Sequence, residues 1–141
     1  MQLTRGCEYA IRGLVFLAMQ KERDEPVLLA DIAKSIGAPN NYLSNIFQIL
    51  SRLGLVTSHR GAKRGYTLAR ASSEINLREV VEGMEGPITI SSCTMDRGWC
   101  DHEATCTMNQ VWGDIQETIT TKLEAATLER LIGACFLHTV E

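Results

Sequence analysis

A chain of 141 residues, 45% hydrophobic and 22% charged, has the length of one ordinary domain, or of one compact domain with an appended element, and can bury a real core. No window approaches the roughly 18 uninterrupted apolar residues of a membrane span. Met1–Arg5 leads into an amphipathic stretch containing Glu8 and Arg12, not a cleavable apolar leader, so the five cysteines are expected in the cytoplasm, reduced and outside any disulfide framework.

The net charge of −3 argues against a nucleic-acid binder, but its distribution argues for one. Residues 32–73 hold no Asp or Glu and carry six cations, Lys34, Arg52, Arg60, Lys63, Arg64 and Arg70, which leaves −9 on the rest of the chain. Charge so divided suggests a basic face on an acidic body.

In chain order, Thr4 is placed to cap a first helix whose apolar residues Tyr9, Ile11, Val15, Phe16 and Met19 recur at helical spacing. Lys21–Pro26 is a polar connector ending in a residue hostile to helix. A second helix is predicted over about Leu29–Ile36, closed by Gly37, and Ala38-Pro39-Asn40 makes a short turn. A third helix over about Asn41–Leu53 sets Tyr42, Leu43, Ile46, Phe47, Ile49, Leu50 and Leu53 on its apolar face and Asn41, Ser44, Asn45, Gln48 and Arg52 on the other. Leu55–His59 and Tyr66–Leu68 flank a basic tip and predict a β-hairpin.

A short helix near Leu77–Glu82 is followed by a loop, Gly83–Cys106, with no periodicity. Met108, Val111, Trp112, Ile115, Ile119, Leu123 and Ala126 then step by three and four, predicting one long helix to about Leu131. Its apolar stripe needs cover. A second copy of the chain is the economical answer, and the first helix of the same chain is the alternative.

Helix, turn, helix and hairpin is the order of a winged helix-turn-helix. The expected fold is therefore mainly α with a small β-hairpin wing: a DNA-binding domain over 1–83, a cysteine-rich loop over 84–106, a dimerisation helix over 107–132 and a tail over 133–141. The third helix of such a unit enters the major groove, which points Asn40, Asn41, Ser44, Asn45 and Gln48 at base edges and Tyr42 at a phosphate or sugar. Arg60, Lys63 and Arg64 at the wing tip, with Tyr66 beside them, would meet phosphates or a narrow minor groove. Two copies would read a pseudo-palindromic site on double-stranded DNA.

The cysteine spacing is Cys93-x6-Cys100-x5-Cys106. Three thiolates in one loop suit a soft or borderline metal such as iron or zinc. Without a Cys-x2-Cys knuckle an ordinary zinc ribbon is disfavoured, which leaves an iron–sulfur cluster, a redox disulfide or a zinc completed by His102. Cys7 and Cys135 read as plain buried thiols. His59, His102 and His138 form no evident dyad, and no phosphate loop is present, so no enzyme is expected.

Four segments together carry a resemblance: Leu3-Thr4-Arg5-Gly6-Cys7-Glu8-Tyr9-Ala10-Ile11-Arg12, Leu29-Ala30-Asp31-Ile32-Ala33, Asn41-Tyr42-Leu43, and Arg60-Gly61-Ala62-Lys63-Arg64-Gly65-Tyr66-Thr67-Leu68-Ala69. With the three cysteines, they make the chain similar to the IscR/NsrR/RirA family of iron–sulfur winged-helix transcription regulators. The resemblance implies a homodimer with crossed C-terminal helices. It also implies a 2Fe-2S or 4Fe-4S cluster in each protomer on Cys93, Cys100 and Cys106, and operator affinity that follows redox state, nitric oxide or iron status. Some members take a fourth ligand from a histidine three positions past the last cysteine; that place is Asn109 here, a poor iron ligand. Others take an acidic residue from the partner's first helix, and the matching residue is Glu8. One departure is Arg64-Gly65 where the family's wing has Gly-Gly. The alternatives are a cluster-free winged-helix repressor using reactive thiols or a small ligand, and a small thiol redox protein.

Overall fold

In the computed structural model, the structure describes residues 2–95, 98 and 100–132. Helix α1 (Arg5–Ala18) starts where Thr4 Oγ1 accepts the Cys7 N–H at 3.2 Å, and Glu8 in its first turn suits the positive end of the helix dipole. Its buried residues Ala10, Leu14 and Leu17 pack with α2 (Leu29–Ile36) and α3 (Asn40–Arg52). The turn between α2 and α3 follows from local chemistry. Gly37 takes φ 70°, a left-handed value that ends α2, and Pro39 opens α3 from an extended conformation.

Phe47 is the fully buried centre of this three-helix unit. A Cβ on Gly13 would come within 2.8 Å of its ring, so the bare helix surface at Gly13 is what lets α1 and α3 close together. Tyr66 meets the same ring edge-on, with centroids 5.0 Å apart.

Strands β1 (Val56–His59) and β2 (Gly65–Leu68) pair antiparallel from Val56↔Leu68 to His59↔Gly65 and form the wing. A third arm joins them. The Val27 N–H donates to the Tyr66 carbonyl at 3.0 Å and the Tyr66 N–H to the Val27 carbonyl at 2.9 Å. This close approach explains Gly65: its φ is 136°, and a Cβ there would lie 2.4 Å from the Val27 carbonyl oxygen. Position 65 is thus the one where the backbone demands glycine, while Arg64 beside it is exposed.

Helix α4 (Leu77–Glu85) is capped by Asn76, whose Oδ1 accepts the Glu79 N–H at 3.0 Å, and it runs one turn beyond the predicted end. At that end Glu85 accepts the Thr4 N–H at 2.6 Å, which holds its carboxyl below the usual carboxylate range and ties α4 to the start of α1. The following segment is not wholly irregular: α5 (Ser92–Met95) forms one turn within it. Helix α6 (Thr107–Ala125) then lays Ile119 and Leu123 on a small second core of Cys7, Val81 and Ile88. Arg78 bridges Glu82 of α4 and Glu124 of α6, an exposed contact of little energetic weight.

The single long helix predicted to about Leu131 is corrected. The helix stops at Ala125, Ala126 adopts φ −87° and ψ 86°, and Thr127 caps a separate turn, α7 (Leu128–Leu131). The cause is tertiary. Leu128 is fully buried in the main core, the Leu77 N–H donates to the Ala126 carbonyl at 2.9 Å, and the Leu128 N–H donates to the Ile75 carbonyl at 2.9 Å. The chain thus leaves the helix-and-hairpin unit through the cysteine segment and returns to it. Among the described residues, no helix is long and apolar enough to cross a membrane.

Candidate functional site

Two surfaces carry chemistry. The first is the outer face of α3 with the wing. Burial of Leu43, Ile46, Phe47 and Leu50 fixes the rotation of α3, so Asn40, Asn41, Asn45 and Gln48 stand exposed and Ser44 is half-buried. Pro39 offers no side-chain cap, which leaves the first N–H groups of α3 open to solvent or an anion. Tyr42 is 42% exposed, with its ring edge-on to Tyr9 at 5.8 Å, so part of it serves the α1–α3 contact. Tyr66 is half-buried against Phe47 and braces the wing from within.

Arg60, Lys63 and Arg64 are exposed and, among the described residues, take part in no ion pair, whereas Arg70 is paired with Glu79. Arg64 also borders a cleft between the wing and the start of α2, lined by Leu28, Leu29, Ala30, Ser58 and His59. His59 Nε2 and Thr67 Oγ1 lie 2.9 Å apart in the wing.

The second surface gathers the cysteines. Cys93 on α5, Cys100 in a turn and Cys106 at the N-cap of α6 are half-buried free thiols lining one pocket with Glu103 and Asn109. Consecutive turns bring them together. The Glu103 N–H donates to the Cys100 carbonyl at 3.1 Å, and the Cys106 N–H donates to the His102 carbonyl at 2.9 Å. Cys106 occupies the N-cap position of the 19-residue helix α6, without a side-chain cap hydrogen bond.

The donor set fits an iron–sulfur cluster in type. The three cysteines line a common space of about 20 Å³, room for about one water molecule, so the side chains must part to admit a cluster. Among the described residues, no three His, Cys, Asp or Glu side chains converge as a single metal ion requires. Thiolates on a cluster bind different irons and stand further apart than thiolates on one ion. His102, which would complete a zinc site, is exposed and does not line the pocket.

Cys7 is a different kind of thiol. It is fully buried, and its pKa is pushed up to about 11, by burial first and then by the negative charges of Glu85 and Glu8. Such a thiol stays protonated and inert, as its sequence context suggests. Cys135 and His138 lie outside the described residues. Glu8 is exposed on α1 and does not line the cysteine pocket of its own chain. Glu103 is the pocket residue that sequence reasoning missed, although its place midway between Cys100 and Cys106 was a usable signal.

A helix-turn-helix, a β-wing and a basic outer face define a winged-helix, DNA-binding transcription regulator, a class without enzymatic chemistry. The family model described as "Rrf2: Iron-dependent Transcriptional regulator" matches residues 3–134, and the chain belongs to that family. It is 33% identical over 132 residues to the HTH-type transcriptional regulator IscR of Xenorhabdus nematophila, covering 94% of this chain and 79% of that protein. Its fold is similar to that of CymR, the global cysteine regulator of B. subtilis, with a TM-score of 0.79 at 25% identity over 94% of this chain and 97% of the other. It is likewise similar to T. potens IscR, with a TM-score of 0.74 at 26% identity over 94% and 87% of the respective chains.

Proposed function

We propose that this chain is a homodimeric cytoplasmic regulator whose affinity for a pseudo-palindromic operator is set by an iron–sulfur cluster, 2Fe-2S or 4Fe-4S, held in each protomer. The observation that carries this reading is the convergence of Cys93, Cys100 and Cys106 on one pocket at the head of α6. The likeness to IscR proteins supports it. Such a cluster, when bound, supplies a centre that changes with oxidation, nitric oxide or iron supply.

Every other part falls to the chain's own residues. Asn40, Asn41, Ser44, Asn45 and Gln48 address base edges in the major groove, while Tyr42, Tyr66, Arg60, Lys63 and Arg64 position the duplex through its backbone and minor groove. The dimer forms through α6, where Met108, Val111 and Ile115 are 61%, 49% and 38% exposed on a helix otherwise packed by Ile119 and Leu123.

Glu8 of the partner subunit supplies the fourth ligand. Its position on α1, the helix against which α2 and α3 pack, makes it a mechanical link between pocket and DNA reader. With a cluster bound, the carboxylate of Glu8 would be a harder and weaker donor than the three thiolates, and a change in its hold would re-angle the two readers. A shift of a few kcal/mol between two dimer states alters operator occupancy substantially. The Glu8→Ala variant is expected to retain iron but to bind operator identically before and after oxidation, as read by electrophoretic mobility under anaerobic conditions. Wild-type responsiveness in that variant would remove Glu8 from the relay.

A second reading is a cluster-free regulator using the same three thiols, favoured by the likeness to the B. subtilis cysteine regulator. It predicts a colourless protein whose DNA binding follows thiol oxidation.

A further inference from the structure

His59 is the one histidine of the wing. It ends β1 opposite Gly65 of β2, and its ring is half-buried. Nε2 lies 2.9 Å from Oγ1 of Thr67, a polar side chain that is itself only 8% exposed. A buried hydroxyl on one ring nitrogen fixes the ring and leaves Nδ1 as the nitrogen available to another partner.

The ring lines a cleft of about 360 Å³ between the wing and the start of α2. The α2 side is apolar, with Leu28, Leu29 and Ala30, and Leu28 is 40% exposed. The wing side carries Ser58, His59 and Arg64. A unit of DNA backbone has the same two characters, an apolar deoxyribose and an anionic phosphate. Among the described residues no Asp or Glu lines this cleft, whereas Glu22 and Glu25 line the neighbouring clefts along the 21–26 connector. The charged or titratable groups that share the cleft with His59 are Arg64 and Tyr66 of the wing. Helix α2 adds none, since its Asp31 lines a neighbouring cleft, and α3, which also packs on β1, adds none.

We propose that this cleft seats one sugar–phosphate unit of the duplex, and that His59, oriented by Thr67, donates to the phosphate from Nδ1, so that DNA affinity rises as the ring takes up a proton. The inference needs no cluster, but it rests on the wing lying along the duplex. Leu28 and Ala30 pack on the sugar, and Arg64 holds the same phosphate. In the neutral ring the Thr67 hydroxyl donates to Nε2, and the single ring proton sits on Nδ1. In the protonated ring Nε2–H donates to Thr67 Oγ1, and Nδ1–H still serves the phosphate. The geometry is unchanged, one proton is taken up per wing, and a neutral hydrogen bond becomes a charge-assisted one. DNA favours the charged ring, so binding strengthens as pH falls through the range in which histidines titrate.

The test measures binding of the full-length protein, prepared without oxygen, to a fluorescent mixed-sequence duplex of about 30 base pairs. Titrations are run at about pH 6 and about pH 8, which bracket histidine titration. Iron is determined at both, so that a change in the cysteine pocket is not read as one in the wing. Wild type should bind at least about tenfold more tightly at the lower pH, with a log affinity–log salt slope steeper by about one per wing. His59→Gln keeps a hydrogen-bond partner for Thr67 but takes up no proton, and its two affinities should agree within about twofold. Thr67→Val keeps the shape and loses the hydroxyl, and its response should fall to about threefold. His59→Arg carries a fixed charge and should bind at both pH values as tightly as wild type does at the lower one. A Gln variant that keeps the wild-type response, or a wild type that shows none, overturns the proposal. A Thr67→Val variant with the full response overturns the positioning role of Thr67. If replacing Arg60, Lys63 and Arg64 by Ala leaves the salt slope unchanged, the wing is off the duplex and this inference falls with that reading. A slope that drops as expected, beside pH-independent binding by wild type, overturns the seat alone.

Discussion

Truncating Phe47 to Ala is expected to cost about 3–5 kcal/mol, a large share of the roughly 5–15 kcal/mol by which a domain of this kind is stable. The ring is fully buried, touches the bare α1 surface at Gly13, and supports Tyr66 beneath the wing. Its loss leaves a cavity where α1, α3 and the wing meet. That junction cannot collapse easily, because α1 is also tied to α4 through the Thr4–Glu85 hydrogen bond and the Val27–Tyr66 bridge pins the wing from its other side. Urea unfolding should show a markedly lower midpoint at an unchanged slope. A cost below about 1 kcal/mol would mean that the core is not packed around this ring.

The second large effect concerns DNA. Replacing Arg60, Lys63 and Arg64 together by Ala removes three exposed cations per wing without touching the core. If each neutralises one phosphate, the proposed dimer would lose six contacts. The slope of log affinity against log salt should then become shallower by about five, with operator affinity near 0.15 M salt falling at least about 100-fold. The loss should be nearly uniform across operator sequences, because phosphate contacts carry no base information. Gln48→Ala should do the opposite, relaxing base preference at one position while leaving the salt slope unchanged. Titrations over a range of potassium chloride concentrations distinguish the two. A triple variant with the wild-type salt slope would place the wing away from the duplex.

Most of the DNA reader was legible in the sequence because its signals are local. Thr4, Gly37 and Pro39 mark helix ends by backbone chemistry that needs no distant partner, and the spacing of Leu43, Phe47 and Leu50 fixes which face of α3 is free. What escaped was non-local. The third arm of the wing is formed by Val27, just past the polar connector, and only its pairing with Tyr66 reveals both the arm and the need for glycine at position 65. The end of α6 was missed for the same reason. The apolar period runs on through Ala126, but the core's demand for Leu128 and the backbone pairing of Thr127 with Asn76 break the helix there.

The cysteine pocket divides in the same way. Spacing singled out three cysteines, and the structure brings them to one pocket. Spacing alone could not say which neighbouring residue joins them. Glu103 is brought to the pocket's edge by successive turns at Cys100 and His102, while His102 is exposed and outside the lining. The role proposed for Glu8 could not be judged from one chain, because an exposed carboxylate on α1 would acquire it only against a second protomer.

Operator affinity measured side by side on anaerobically loaded and iron-stripped protein, with iron and acid-labile sulfide determined in each, reaches the core of the account. The loaded protein should be brown, absorb between roughly 320 and 460 nm as thiolate-bound iron clusters do, and differ from the stripped form by at least about tenfold in affinity, equivalent to about 1.4 kcal/mol. Protein prepared without oxygen that carries no iron, or loaded and stripped forms that bind the operator alike, would contradict it.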